Sequence, residues 1–412
     1  MQLRSQITYL LVLICSSIWA QDKTEVEIDD IEIDILSSYY EQDGTHSPVT
    51  GGKGTEELSN IAPSIIINVP IDTVRSIKLI GGVDVYSSAS SDNINNPLLK
   101  TNHVSSASAQ DARGYGSITY KKKNNQKKSS KSYTIGGSGE YDVVSASLGF
   151  GYTKASKNNN REFAVKGKYY FDNWKLIYPT ELRNGTDHLS TNIRQSLNLS
   201  IIGSSFLTKR MAISINSDFV AQHGLLSTPF HRVYFTDNAA SVVEQLPDFR
   251  FKVPVGVRYN WSIGSRLILR NHYRYYWDNW GVQSHTIKSE LVIKASSSVR
   301  LYPFYRYHTQ TAANYFGEYK TIESSQTYFT SDFDLSGLSS QKYGLGISYA
   351  PTFGVKKWKS VIRKNKSSTF KEINLRFAHY ERSDGFTANA VTIGIKFNIQ
   401  NGFSKKNWKK IK

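Results

Sequence analysis

Hydrophobic residues recur at every second position along most of this chain. Val144, Ala146, Leu148, Phe150 and Tyr152 alternate with Ser145, Ser147, Gly149 and Gly151. The same alternation runs through Val253, Val255, Val257, Tyr259 and Trp261, and again through Val391, Ile393, Ile395, Phe397 and Ile399. A period of two belongs to a strand with one apolar face; an amphipathic helix would space its apolar residues by about three to four. Sixteen segments carry this pattern: 31–42, 58–69, 75–88, 111–122, 132–141, 143–154, 161–172, 191–202, 209–222, 251–261, 265–277, 282–295, 298–310, 339–350, 370–382 and 388–399. Pro254 has no N–H to give a ladder and predicts an irregular pairing in its strand.

Most segments run 10 to 14 residues. Strands of soluble domains average about 5 to 6, whereas a tilted strand needs about 9 to 11 to cross a bilayer. Long strands with one apolar and one polar face suit a barrel closed in lipid. The expected fold is therefore all-β: a transmembrane antiparallel up-and-down β-barrel of about 16 strands, or 14 or 18 if one hairpin is missed or falsely split. A β-solenoid or propeller would show an internal repeat of fixed period, and the sequence shows none.

The connections follow the same logic. With residue 21 in the periplasm, the outer connections include 43–57, 89–110, 173–190, 223–250 and 311–338, all long. Most inner ones are short: 70–74, 155–160, 203–208, 262–264 and 296–297. Outer-membrane barrels show this asymmetry. Aromatic residues gather at predicted strand ends, at Tyr39, Tyr40, Phe171, Trp174, Tyr273, Tyr275, Tyr276, Trp277 and Trp280. Tyr and Trp favour the membrane interface, which predicts a girdle.

Composition then narrows the setting. Aromatic residues make up 13% of the chain, and Cys15 is its one cysteine, which excludes a disulfide scaffold and a cysteine-ligated zinc site. Residues 1–20 read as a signal peptide, with Arg4, an apolar stretch over 7–14 and Ile18-Trp19-Ala20 as the cleavage site. Ile14, where a lipoprotein signal needs a small residue before Cys15, argues against lipidation. The expected organisation is signal peptide 1–20, acidic periplasmic segment 21–30, barrel 31–399 and basic tail 400–412. The expected location is the outer membrane of a Gram-negative bacterium, with outer-membrane lipid as the surrounding partner.

The formal net charge is +17. Alternation sends Lys166, Lys168, Arg258, Arg270, Arg274, Arg300, Arg306, Arg376 and Lys396 to the lumen, together with Lys288, His272 and His308. The clear acids on that face are Asp84, Asp218 and Glu290. An electropositive lumen raises the local anion concentration and favours anion passage. The same charges could instead close a salt-bridged ladder with loop acids and fill the barrel. Barrels of about 16 strands leave a channel unless something plugs it, and loop 223–250 is the candidate plug.

Other lysines cluster at the predicted periplasmic rim: Lys121, Lys122, Lys123, Lys127 and Lys128 in one inner turn, Lys356, Lys357 and Lys359 beside Arg363, Lys364 and Lys366 in another, and Lys405, Lys406, Lys409, Lys410 and Lys412 in the tail. Asp22, Glu25, Glu27, Asp29, Asp30, Glu32 and Asp34 crowd the mature N-terminus at the same rim. Either the acidic segment folds against this rim or an acidic periplasmic protein docks there; solvated turns are the plainer alternative. Export argues against nucleic acid as a partner.

No phosphate loop, nucleophile elbow or helical zinc motif appears, so no catalytic or metal residue is assigned and no cofactor is indicated. His46, His103, His188, His223 and His231 fall in predicted outer loops, where Asp43, Asp187 or Asp237 could join them around a metal, although none lies at a ligand spacing. His272 or His308 could meet a lumen serine.

Two loop strings are distinctive. Tyr39-Tyr40-Glu41-Gln42-Asp43-Gly44-Thr45-His46-Ser47 continues through Thr50-Gly51-Gly52-Lys53-Gly54-Thr55-Glu56, and Thr228-Pro229-Phe230-His231-Arg232-Val233-Tyr234-Phe235 follows later. Together they resemble a family of Gram-negative outer-membrane barrel proteins grouped as a domain of unknown function. The resemblance spans nearly all of the mature chain. It implies fold and location and carries no activity. Genes of that family often neighbour those of a thioredoxin-like protein, a small lipoprotein and a flavin transferase, which implies a periplasmic redox or maturation pathway. On the residues alone, Gly44, Gly51, Gly52 and Gly54 let the first loop turn sharply. Asp43, His46, Thr50, Phe230, His231, Arg232 and Tyr234 are the outer-loop candidates, and the two loops are expected to fold together over the mouth or into the lumen.

Three functions follow as expectations. The first is a porin-like pore or transport component with an anion-favouring lumen. The second is a plugged scaffold whose basic rim docks a partner of a redox or assembly pathway. The third is a barrel enzyme or loop metal binder.

Overall fold

The computed structural model describes residues 24–89, 109–182, 190–360 and 366–406. Residues 1–23, with the expected signal peptide and Asp22, the stretch around His103, the pair Asp187 and His188, Arg363, Lys364 and the last tail lysines lie outside the described residues.

Sixteen antiparallel strands close into one barrel. They are β1 (Ile31–Asp43), β2 (Glu57–Pro70), β3 (Arg75–Ala89), β4 (Ala109–Asn124), β5 (Ser129–Gly139), β6 (Val143–Ala155), β7 (Arg161–Lys175) and β8 (Thr191–Thr208). The second half is β9 (Met211–Gly224), β10 (Phe249–Ile263), β11 (Leu267–Asp278), β12 (Gln283–Lys294), β13 (Val299–Gln310), β14 (Leu338–Tyr349), β15 (Ser367–Arg382) and β16 (Thr387–Ile399). Each strand pairs with its neighbours in sequence, and β1 closes the ring on β16, from Ile31 opposite Ile399 to Asp43 opposite Thr387. Closure leaves no unpaired edge, the condition for strands to stand in hydrocarbon. The strands run from 11 residues in β5 to 18 in β8, enough to cross a bilayer at a tilt.

The outward face shows why the ring belongs in lipid. Ile118, Ile135, Leu148, Tyr169 and Leu197 are successive register partners across β4 to β8. Ile135 is 67% exposed and Leu148 60%. Burying such a side chain is worth about 1.5–3 kcal/mol, so a belt of them left in water would be a heavy cost that acyl chains remove. A closed barrel with this belt is an outer-membrane protein.

The expected girdle divides by parity. Tyr39, Phe171, Tyr273 and Trp277 are exposed on the outward face. Trp174, Tyr276 and Trp280 line lumen cavities instead, and Tyr40 bonds Gln42 on the inward side. Pro254 stays in register with Tyr276 of β11, but the β9–β10 pairing skips from Ser217 opposite Val255 to Val220 opposite Lys252. The ladder breaks where proline lacks its donor.

Outside the barrel, Thr24–Ile28 pairs antiparallel with Gly402–Lys406, placing Glu25 opposite Lys405 and Thr24 opposite Lys406. The acidic segment thus runs beside the basic tail. The long connection after β14 holds a further short strand, Lys356–Lys359, which extends the sheet by pairing with Ser367–Phe370.

Candidate functional site: the roofed, cation-lined lumen

Alternation along β10 to β14 builds the site. Arg258 stands opposite His272, His272 opposite Lys288, Lys288 opposite Arg306, and Arg306 opposite Lys342. All five are on the inward face, since Tyr273, Ile287, Tyr305 and Tyr343 point out between them. Side chains directly opposed in antiparallel strands have Cβ atoms about 4.5–5.5 Å apart, and like charges there repel. Lys288, Arg306 and Lys342 are three directly opposed cations, a run that does not serve sheet stability.

Among the described residues, one carboxylate meets this row, at Lys288 alone. Glu290, buried on β12, accepts from Arg376 at 2.6 Å, Arg270 at 3.2 Å and Lys288 at 3.4 Å. Arg258, Arg274, Arg306 and Lys342 take part in no ion pair among the described residues. Deeper in the lumen, Arg270, Arg300, Arg376 and Lys396 line a cavity of about 330 Å³. On the other wall, Lys168 lies over the Tyr170 ring at 4.5 Å, and Lys166 shares its inward face. Lys396 approaches Asp34 at 3.9 Å.

The long-loop end is covered. Two segments between strands, 225–248 and 311–337, knit through a small apolar core of Val233, Phe235, Ile322 and Phe329. Arg232–Tyr234 pairs with Ser241–Val243, and Phe235 bridges to Ile322. Asp237 accepts from the backbone N–H and hydroxyl of Ser324. The first loop joins them. Arg232 forks onto Glu181 and also donates to the carbonyl of Val49. Gly51, at φ 75°, lies flat against the Tyr234 ring, where a Cβ would fall 2.5 Å from Cδ2. His46 stacks on Phe333 with ring centroids 4.0 Å apart and takes part in a 3.0 Å hydrogen bond with the Gly52 carbonyl. Thr50 donates to the Ser47 carbonyl and accepts from the Gly54 N–H at 2.8 Å. Arg382 ties this roof to the β15–β16 turn through Asp334 and Asp384. Of the other loop candidates, Phe230 is half-buried and Asp43 stays at the exposed end of β1.

His231 and Glu244 hold the centre of the roof, with Nδ1 and Oε2 3.2 Å apart. Glu244 also accepts from the Thr228 N–H and the Thr330 hydroxyl. Burial alone would lower the His231 pKa, but Glu244, with Asp332 and Glu56 nearby, outweighs it and holds the imidazole above its usual range. Burial pushes the Asp332 carboxyl up to about 6, with His231 pulling it down and Asp334 pushing it up.

Between roof and cation row lies a cavity of about 720 Å³. Its wall carries His272, Arg274, Lys288 and Arg306; its roof carries Glu244, Asp332, Leu226 and Leu246. That volume is in the range of small-molecule sites. His308, on the wall, bonds Thr286 and Gln310 rather than a serine. No set of three or more His, Cys, Asp or Glu side chains among the described residues is arranged to hold a metal ion. Sequence reasoning did not single out Lys342, Lys252, Arg250, Glu244 or Asp332. Alternation points to the first three; nothing local points to the last two.

At the opposite end, Lys121, Lys122, Lys123 and Lys127 are exposed in and beside the β4–β5 turn, whereas Lys128, at φ 47°, is half-buried. Lys356, Lys357 and Lys359 are exposed on their short strand.

The chain belongs to the family described as "Protein of unknown function (DUF3570)", which matches residues 88–398. The second distinctive loop string lies inside that span and the first lies before it. None of the curated proteins matches the chain. Among solved structures, OpdK of Pseudomonas aeruginosa with vanillate superposes with a TM-score of 0.40 at 7% identity, covering 90% of this chain and 99% of that one. A BenF-like porin from Pseudomonas fluorescens Pf-5 gives 0.40 at 8% identity, over 90% and 98%. A loop-deletion mutant of OmpT, an outer-membrane protein of Vibrio cholerae, gives 0.39 at 9%, over 89% and 98%. The barrel assignment rests on the strand pairing itself.

Proposed function

We propose that this protein is an outer-membrane channel for small anions, with its loop roof facing the cell exterior and its short turns facing the periplasm. The observation that carries the reading is the row Arg258–His272–Lys288–Arg306–Lys342, five adjacent basic positions of which, among the described residues, only Lys288 meets a carboxylate. Such a wall attracts anions and repels cations in a water-filled tunnel with low-dielectric walls. The roof narrows the mouth, so passage is limited to small solutes. Vesicles loaded with potassium chloride and given a potassium ionophore to balance charge should release chloride faster with the protein than without it. Equal release from both kinds of vesicle would refute the reading.

A second reading rests on the other end. The exposed lysines of the Lys356–Lys359 strand and of Lys121–Lys123 form a basic rim that suits an acidic periplasmic protein. Replacing Lys356, Lys357 and Lys359 with Glu would remove such a partner from the purified complex while leaving chloride release unchanged. Co-purification that survives the replacement would dismiss the rim as its docking site.

A further inference from the structure

The cavity under the roof is charged with opposite signs on its two sides. Six cations reach it from the wall. Three of them are already answered: Arg194 by Asp172, Arg250 by Asp278 and Lys288 by Glu290. Lys252, Arg274 and Arg306 are in no ion pair among the described residues. The roof brings three carboxylates. Glu244 is consumed by His231, Thr228 and Thr330, and Asp334 by Arg382. Asp332 is left: its Oδ1 accepts the Asp334 N–H at 2.9 Å, and no Lys or Arg among the described residues pairs with it, the His231 imidazole being its positive neighbour within the roof. Three cations in no ion pair and a carboxylate with no Lys or Arg partner among the described residues therefore face one space. Leu226, Leu246 and Leu335 supply apolar surface beside them.

A simple anion would satisfy only the wall and would sit beneath a repelling roof. A zwitterion satisfies both. We infer that this cavity binds a zwitterionic amino acid or short peptide, its carboxylate on Arg274 and Arg306, its ammonium under Asp332 and its side chains against the leucines. The inference rests on the channel reading for its route to the cavity but not for its chemistry. Arg presents a planar fork to a carboxylate, and both ends make charge-assisted hydrogen bonds.

The test is calorimetric titration of the full-length protein in detergent with three probes: dialanine, N-acetyl-dialanine, which lacks the ammonium, and dialanine amide, which lacks the carboxylate. Dialanine should bind at least about tenfold more tightly than either capped form, the step expected for one charged hydrogen bond. Asp332→Asn keeps the backbone-accepting oxygen and should erase only the advantage over the acetylated probe. Arg274→Gln with Arg306→Gln should erase only the advantage over the amide. Equal binding of dialanine and its acetylated form, or no binding of any probe to the wild type, would overturn the inference. Bilayer currents measured on the same preparation separate the two readings: anion-selective current with equal calorimetric binding of the three probes leaves the channel standing and removes the zwitterion site, while discrimination among the probes without anion-selective current removes the channel's selectivity alone.

Discussion

Lys288 and Arg306 stand directly opposite each other on β12 and β13, both facing the lumen. Two cations so placed oppose the pairing of their strands by roughly 0.2–1 kcal/mol. Arg306→Gln should therefore leave the thermal unfolding midpoint unchanged or raise it slightly, while reducing anion preference. A large drop in the midpoint would show that Arg306 serves the fold.

Glu290 is the opposite case. It gathers Arg270, Lys288 and Arg376, each of which keeps part of its side chain in water. Because the cations are partly solvated, Glu290→Gln should cost about 1–3 kcal/mol rather than the larger loss of a fully buried pair. Urea unfolding in detergent reads the cost. The same variant should favour anions more strongly than the wild type.

The roof should loosen as pH rises. Asp332 has a folded-state pKa of about 6, above its ordinary 3.8, so its contribution is complete below about 4 and is lost as pH climbs through 6. His231 is also raised, so its bond to Glu244 contributes fully below 6.5 and is lost above its elevated value. Glu56, raised chiefly by burial and then by Asp334 and Asp332 against the opposing Arg382, acts in the same direction. Amide protection over 228–235 and 329–333, with the intrinsic pH dependence of exchange divided out, should be higher at pH 5 than at pH 8, and His231→Gln should shrink the difference. Lower protection at pH 5 would reverse the assignment of signs.

Arg232 joins three loops through Glu181 and Val49. Arg232→Ala should free the roof and raise single-channel conductance, as should deletion of 226–236. Unchanged conductance in both would show that the roof does not narrow the path.

The outward belt gives a control at the level of fold. Leu148→Arg places a charge among Ile135 and Tyr169, its register partners. Insertion into vesicles should weaken by about 2–4 kcal/mol, the cost of arginine near the bilayer centre.

The strands were legible because a period of two leaves its mark locally, and all sixteen expected segments overlap an observed strand. Parity also separates Arg274 from Tyr273. Applied consistently, it would have sent Tyr276, two residues from Arg274, to the lumen rather than to the girdle. The roof was only partly legible. The glycines at 51 and 52 announce a sharp turn, but that Gly51 meets Tyr234, that Phe235 meets Ile322, or that Asp332 hangs over Arg274's cavity depends on contacts between distant loops. Such contacts follow from which strands close the ring, and no periodicity records them.

The most direct test of the account is the reversal potential of the protein in a planar bilayer under a tenfold potassium chloride gradient. A lumen walled by Arg258, His272, Lys288, Arg306 and Lys342 predicts a potential of the sign set by chloride, shifting toward zero when Arg258, Arg306 and Lys342 are all changed to Gln. A potential of the sign set by potassium, or one that the triple change leaves unmoved, would contradict it.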